Sequence, residues 1–455
     1  MSPSPAPPSD ASDLTASPTR RVWFHTFGCQ MNEYDTGKMR AKLAGRGWVK
    51  AEDPSEADLV LLNTCSIREK AVDKMASALG EYRSLKKRGQ PLLIGVAGCV
   101  AQQEGDAILS RFPYVDLVFG PDGVPHVDAL VDRAAAGERV VDTEFLDLDA
   151  YPFVGEVDPS VSGVGAFVTI QKGCDNKCTY CIVPTTRGAE VSRPATEIVA
   201  EVAALVARGV REITLIGQNV NSYGLKDLGG VTFAKLLYAV ADVPGVERIR
   251  YTTSHPRDMG PDVVAAYRDL PQLADHLHLP VQSGSSRVLR RMKRFYTREH
   301  YLRTVDALRE ARPGLTLTTD VIFGFPGETD DDFAATMALM DEAGFVGSYS
   351  FKYSPRPGTA ALRLADDIAD DVASARLTAW QTQQRAASAR WTRAHEGSIV
   401  EVLVEGPARH DEGLVCGRTS GNLMVNFVGS TDLIGRTIPV RVTRGFTHSA
   451  RGEAV

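Results

Sequence analysis

Residues 166–188 read AFVTIQKGCDNKCTYCIVPTTRG, an apolar run of strand length followed at once by three cysteines, Cys174, Cys178 and Cys181. Thiolates are soft ligands suited to iron–sulfur clusters, and three in one short loop hold three irons of a four-iron cube. The fourth iron then has no protein ligand and stays open to a chelating small molecule. A zinc site is the competing use of such a loop, but zinc asks for four ligands, commonly in paired CxxC spacing, and no fourth Cys or His lies close by. Because the loop directly follows a strand, its chemistry falls at a strand's carboxyl end, where βα barrels build their sites.

Downstream the strand–helix pattern repeats. The apolar runs EITLIG, RIRYTT, HLHLPV, LTLTTDVIFG and SYSFKY are separated by stretches of helical length. With AFVTIQ they predict six βα units over residues 163–389, a partial (βα)6 barrel. Polar residues follow these runs. Gln218, Ser254, Gln282 and Asp320, with Tyr180 inside the cysteine loop, are the expected cofactor contacts by strand-end position, and His255 stands beside them. Each also reads as an ordinary hydrogen-bonded polar group. In VIFGFPGET (321–329) a strand ends in a turn where backbone can approach a ligand, although a plain strand-to-helix turn explains it as well. From residue 390 the period drops to two, with frequent Gly (SIVEVLVEG, GLVCGR, LMVNFVG, TIPVRVTRG), which predicts a small antiparallel β-barrel over 390–450 and a tail at 451–455.

Upstream, the runs VWFHTF, DLVLLNT and LLIGVAG each lead into a cysteine, and helical patterns near 32–45, 68–88 and 101–111 follow them. Strand and helix in alternation predict a parallel α/β domain over 21–140. Cys29, Cys65 and Cys99 are 36 and 34 residues apart, about one βαβ unit each. Parallel strands point their carboxyl ends at one crevice, so the three thiols should converge there. Singly, each is a common buried small residue; together they predict a second cluster. Cys416, alone on a strand, is read as packing. The acidic stretch 141–162 is a linker, and residues 1–20, rich in Pro, Ser and Ala, a disordered leader.

The motif CxxxCxxC, placed after the first barrel strand, resembles the radical S-adenosylmethionine superfamily, whose cofactor chelates the open iron through its amino and carboxylate groups. The stretches FHTFGCQMNEYDT (24–36), NTCSIREKA (63–71), GCVAQ (98–102) and GCDNKCTYCIVPTTRG (173–188) together resemble the methylthiotransferases over nearly all of the chain after residue 20. Gln30, Met31 and Asn32 after the first cysteine, with CDNKC at the second site, are similar to the branch acting on isopentenyladenosine next to the anticodon of tRNA. The resemblance implies a radical barrel with a C-terminal TRAM-like RNA-binding domain. It also implies two 4Fe-4S clusters, on Cys29, Cys65 and Cys99 and on Cys174, Cys178 and Cys181, and methylthiolation at C2 of the adenine. S-adenosylmethionine, a low-potential electron donor and a sulfur source are the further requirements. Thr185 departs from the family's common PYTRG form. Relatives that act on threonylcarbamoyladenosine or on a ribosomal-protein aspartate, and a non-catalytic metal or RNA binder, are the alternatives.

The net charge of -6 offers a polyanion no overall attraction, so RNA contact must be local. RVLRRMKRFYTR (287–298) gathers Arg290, Arg291, Lys293 and Arg294 beside Phe295 and Tyr296, a composition that suits phosphate and base contact or, equally, a solvated helix face. No stretch is apolar enough to span a membrane, seven cysteines in an odd number argue against a disulfide scheme, and the expected location is the cytoplasm.

Overall fold

The computed structural model describes residues 19–455, except 67–68, 88, 90, 148–150, 159–160, 162, 227–228, 366, 410 and 412. Most of the leader, the ends of the 68–88 helix and parts of the linker thus lie outside the described residues.

β1 (Arg21–Thr26), β2 (Val49–Lys50), β3 (Leu59–Thr64), β4 (Leu93–Gly98), β5 (Leu117–Phe119) and β6 (Val140–Asp142) form one parallel sheet in the order β2-β1-β3-β4-β5-β6. β3 is buried throughout because helices cover both faces, so its apolar run shows no alternation. Met75, Leu79 and Tyr82 of the helix Glu69–Lys87 pack on one face; Met39 and Leu43 of the helix Gln30–Ala44 and Leu130 of Val127–Ala135 pack on the other. The helix expected over 101–111 is two, Cys99–Glu104 and Asp106–Arg111. Gly105 breaks it with a left-handed φ of 46°.

β7 (Gly165–Thr169), β8 (Gln171–Lys172), β9 (Val191–Ser192), β10 (Glu212–Ile216), β11 (Arg248–Tyr251), β12 (His276–His278), β13 (Thr316–Phe323) and β14 (Phe345–Lys352) follow. Two parallel sheets, β7-β10-β11 and β12-β13-β14, join through a bridge between Ile249 and Leu273 into a six-stranded wall. β7 and β14 do not pair, so the barrel is open along one side. The largest apolar cluster lies outside the wall, under the helices, where Trp380 of the helix Asp370–Arg393 is fully buried.

β15 (Ile399–Pro407), β16 (Leu414–Arg418), β17 (Met424–Val428), β18 (Thr437–Gly445) and β19 (Ala450–Ala454) close a barrel in the order β15-β16-β17-β19-β18. The expected tail at 451–455 is corrected: β19 pairs with both β17 and β18 and completes the barrel. The expected boundary at 389/390 falls inside the helix Asp370–Arg393, and that at 140/141 inside β6. The linker is also less plain than its composition: Phe145 and Tyr151 fold over the Lys172 ammonium, 5.7 and 4.3 Å from the ring centroids. Among the described residues no helix is long and apolar enough to cross a membrane.

Candidate active site

The cysteine loop 173–190 is closed at its base by β8 pairing antiparallel with β9, Gln171 opposite Ser192 and Lys172 opposite Val191. Its middle is pinned from across the barrel. Thr179 donates from its backbone N–H to Met292 O (3.1 Å) and from its hydroxyl to Arg291 O (3.0 Å), and Ala361 N–H donates to Thr179 O (2.8 Å). Arg294 reaches into the same loop: Nη1 lies 3.6 Å from Cys178 Sγ, while Nη2 donates to Pro280 O (3.1 Å). This corrects the proposed basic surface, because Arg294 is 6% exposed and turned inward, whereas Arg290 and Lys293 are exposed. Arg291 is half-buried and donates to Pro326 O (3.0 Å). Burial raises the Cys174 thiol above its ordinary range and pushes Cys181 up to about 12. A metal must therefore displace protons when it binds here.

The N-terminal thiols stand at the ends of three neighbouring strands. Cys29 follows β1 at the N-cap of the helix Gln30–Ala44, Cys65 directly follows β3, and Cys99 opens the helix after β4. Gly28 (φ +132°) and Gly98 (φ +91°) make the approach possible: a Cβ on Gly28 would collide with Cβ of Cys65, and one on Gly98 with Asn63 and the Thr64 carbonyl. Asn32 fastens this cluster of turns, donating to Asn63 Oδ1 (2.8 Å) and Thr64 O (3.0 Å) while the Cys29 thiol donates to its Oδ1 (3.2 Å). A hydrogen bond from Cys65 pulls the Cys29 thiol down to about 6 against the opposing effect of burial, with the Arg187 charge and the N–H groups of the first helical turn assisting.

Arg187 comes from the other domain. It ends the five-residue helix Val183–Arg187, which starts two residues after Cys181, and its buried guanidinium donates to Asp35 Oδ2 (2.7 Å), while burial raises the Cys99 thiol and the Arg187 charge opposes that rise.

A cavity of about 1470 Å3 runs through the open barrel, with Cys29 and Cys65 of the N-terminal domain in its wall. A closed βα barrel packs its interior with Val, Ile and Leu. Here the inward positions carry polar groups, among them Thr214, His278, Thr318 and Asp320. His278 Nε2 is 3.3 Å from Asp320 Oδ1 and its Nδ1 shares a hydrogen bond with Thr318 Oγ1 (3.0 Å).

The other strand-end residues divide. Gln218 has no partner for either side-chain atom, and neither has the fully buried Gln171 beside it; His255 Nε2 and Asn219 Oδ1 are also buried and unpartnered. Two wholly orphaned amides and two half-satisfied side chains around the cysteine loop fit a polar ligand that completes them. Ser254, by contrast, donates to His278 O (2.9 Å), and Gln282, at a left-handed φ of 72°, pairs its backbone with β13. Tyr180 sets its ring edge-on to Phe325 at 6.5 Å. Asp320 is a correction of place: it lies inside β13, facing the cavity rather than the rim. Among the described residues no three His, Cys, Asp or Glu side chains gather tightly enough for a single ion. A four-iron cube takes one thiolate at each of three separate corners.

Sequence reasoning missed the roles of Arg187, Gln171, Tyr349 and Phe351. Arg187 was visible only as the end of PTTRG, and the inward column Gly347, Tyr349, Phe351 looked like any alternating strand.

A barrel open on one side, with three thiols in a loop at its carboxyl end, defines an enzyme of the radical S-adenosylmethionine type, and the model of the Radical SAM superfamily matches residues 168–340. The models of the Uncharacterized protein family UPF0004 and of the TRAM domain match 21–120 and 393–455. The chain belongs to the family of tRNA-2-methylthio-N(6)-dimethylallyladenosine synthases. It is 50% identical to the protein so named in Anaeromyxobacter dehalogenans, over 99% of this chain and 98% of that one. It is 48% identical to that of Geobacter metallireducens, over 95% and 98%. Among solved structures, a radical S-adenosylmethionine methyltransferase, TsrM, from Kitasatospora setae shares the fold with a TM-score of 0.56 at 15% identity, covering 75% of this chain and 74% of that one. The two thiol triads and the orphaned amides fit two four-iron clusters and S-adenosylmethionine.

Proposed function

We propose that this chain methylthiolates C2 of N6-isopentenyl (dimethylallyl) adenosine next to the anticodon of tRNA, giving the 2-methylthio derivative. The observation that carries the reading is that the cavity inside the barrel is walled by Cys29 and Cys65 of the N-terminal domain together with β7, β10, β13 and β14. When bound, S-adenosylmethionine and the two clusters supply a carbon radical strong enough for an aromatic C–H bond and the methylthio group that takes the hydrogen's place.

The chain's own residues arrange this chemistry. Cys174, Cys178 and Cys181 hold the radical cluster and leave one iron open, and Gln171 and Gln218 offer unpaired amides to the cofactor on that iron. Cys29, Cys65 and Cys99 would hold the second cluster, with Cys29 and Cys65 in the cavity wall. Arg187 sets a fixed positive charge against it, favouring anionic sulfur there. The C-terminal barrel is the RNA-holding domain, and the cytoplasm, an electron donor of low potential and an external sulfur source complete the reading.

The test is nucleoside mass spectrometry of isopentenylated tRNA after anaerobic incubation with cluster-reconstituted protein, S-adenosylmethionine, sulfide and a reductant. A methylthio adduct on isopentenyladenosine is expected. Formation of 5′-deoxyadenosine without that adduct would retain the radical enzyme and overturn the substrate.

A further inference from the structure

The open side of the barrel is lipped by aromatic rings. β14 is the last strand of its sheet, and its residues alternate: Ser348 and Ser350 hydrogen-bond to Trp380 and Gln381 on the helix side, so Tyr349 and Phe351 turn to the other face, where Tyr349 meets His278, and the cavity wraps this free edge. They remain 61% and 41% exposed there. Phe167, on the facing edge strand β7, lines the same cavity. At the mouth, the turn between β18 and β19 brings His448 to the cavity wall and leaves Phe446 41% exposed, with the Arg444 guanidinium 5.2 Å from its ring centroid. Single exposed aromatics are ordinary on a protein surface; a series from two domains along one opening marks a binding site.

Charge along this opening is sorted. The carboxylates lining the cavity are each matched, Glu212 by Arg250 (2.9 Å), Glu405 by Arg418 (3.4 Å) and Asp320 by His278 (3.3 Å). The lining also carries Arg385 and His448, both exposed, and the exposed Arg444 stands four residues before His448. Cations outside and rings leading inward suit a single-stranded polyanion whose bases can leave the stack.

We infer that the seam between β7 and β14 is a stacking track for an RNA loop: Arg444 and Phe446 hold the strand outside, and Tyr349 and Phe351 take one purine with an apolar N6 substituent into the barrel. The β-barrel turn and the edge strand thus divide the work, affinity outside and choice of base inside. The His278 ring, edge-on to Tyr349 at 5.8 Å and backed by Asp320, holds the tyrosine ring upright in the cavity. The inference rests on the proposed tRNA substrate and adds to it the residues that select the base.

The experiment measures binding of cluster-loaded, full-length protein to fluorescent anticodon stem-loop RNA, with the target adenosine either isopentenylated or plain, across a range of salt. The double variant Arg444→Gln, Phe446→Ala is expected to weaken both RNAs alike, by about five- to a hundredfold for one lost stacked base, and to flatten the salt dependence. Tyr349→Ala with Phe351→Ala should abolish the preference for the isopentenylated RNA and leave the plain RNA nearly unchanged, and Tyr349→Phe should keep the preference. Circular dichroism matching that of the parent protein confirms folding of each variant. If the parent discriminates between the RNAs and both double variants do so equally well, the track is overturned while the proposed function stands. If the parent binds neither RNA, the proposed function itself fails.

Discussion

Arg187 reaches from the radical barrel into the N-terminal domain, where it meets the Asp35 carboxylate and the Cys99 thiol. Replacing it with Gln leaves Asp35 buried without its cation, and breaking a buried pair in this way costs about 3–5 kcal/mol. The Arg187→Gln protein should therefore unfold at lower urea, and the second cluster's reduction potential should become more negative, as follows from removing a positive charge beside it. The radical cluster's spectrum should not move; a shift in both clusters would show that the residue acts only through overall folding. The cysteines give a second prediction at this scale. Replacing Cys29, Cys65 and Cys99 with Ala should halve the iron content, retain cleavage of S-adenosylmethionine and abolish thiolation, whereas replacing Cys174, Cys178 and Cys181 should abolish both reactions. Catalytic thiolation by the first variant would refute a second cluster. His255 gives a third. Burial and the charges of Arg294 and Arg257 hold its imidazole down to about 2. Above pH 6.5 it is neutral folded or unfolded and contributes nothing to pH dependence. Below that, the unfolded chain takes a proton that the folded one refuses, so stability falls by up to about 1.4 kcal/mol per pH unit. Urea titrations at pH 7 and 5 should show the loss, and His255→Asn should reduce it.

At the scale of elements, strand runs and the residues after them were legible because burial forces their pattern. VWFHTF, DLVLLNT and LLIGVAG became β1, β3 and β4, and the six barrel runs became strands at the expected places. The strand-end places of Cys29, Cys65 and Cys99 were legible for the same reason: a residue after each of three parallel strands has one crevice to enter. Direction across the chain was not. The stretch 287–298 reads as one basic surface, yet Lys293 and Phe295 both adopt left-handed φ values (56° and 57°), and the turn they make drives Arg294 inward to Cys178. Nothing in the composition of RVLRRMKRFYTR signals that reversal. β19 was lost because ARGEA is short, polar and rich in small residues; its place in the barrel comes from its neighbours and not from its own propensity.

For the whole molecule, the C-terminal barrel is also the floor of the radical barrel. Arg248 and Arg250, tied to Glu212, donate to the carbonyls of Arg418 (3.0 Å) and Thr419 (2.9 Å), and Thr316 Oγ1 donates to Gly421 O (2.9 Å). Hydrogen bonds from a charged donor contribute about 1.5–3 kcal/mol. Arg250→Ala should therefore raise hydrogen exchange in residues 418–421 with little change in the N-terminal sheet; unchanged exchange there would mean that the two barrels are held by other contacts. A last consequence concerns the helix Val183–Arg187. It begins two residues after Cys181 and ends at the guanidinium that meets Asp35 and Cys99, so it works as a ruler whose phase matters as much as its length. One added residue turns everything beyond it by about 100° around the helix axis. A chain with a single alanine inserted after Val183 would keep all six ligands and still have its two metal centres out of step.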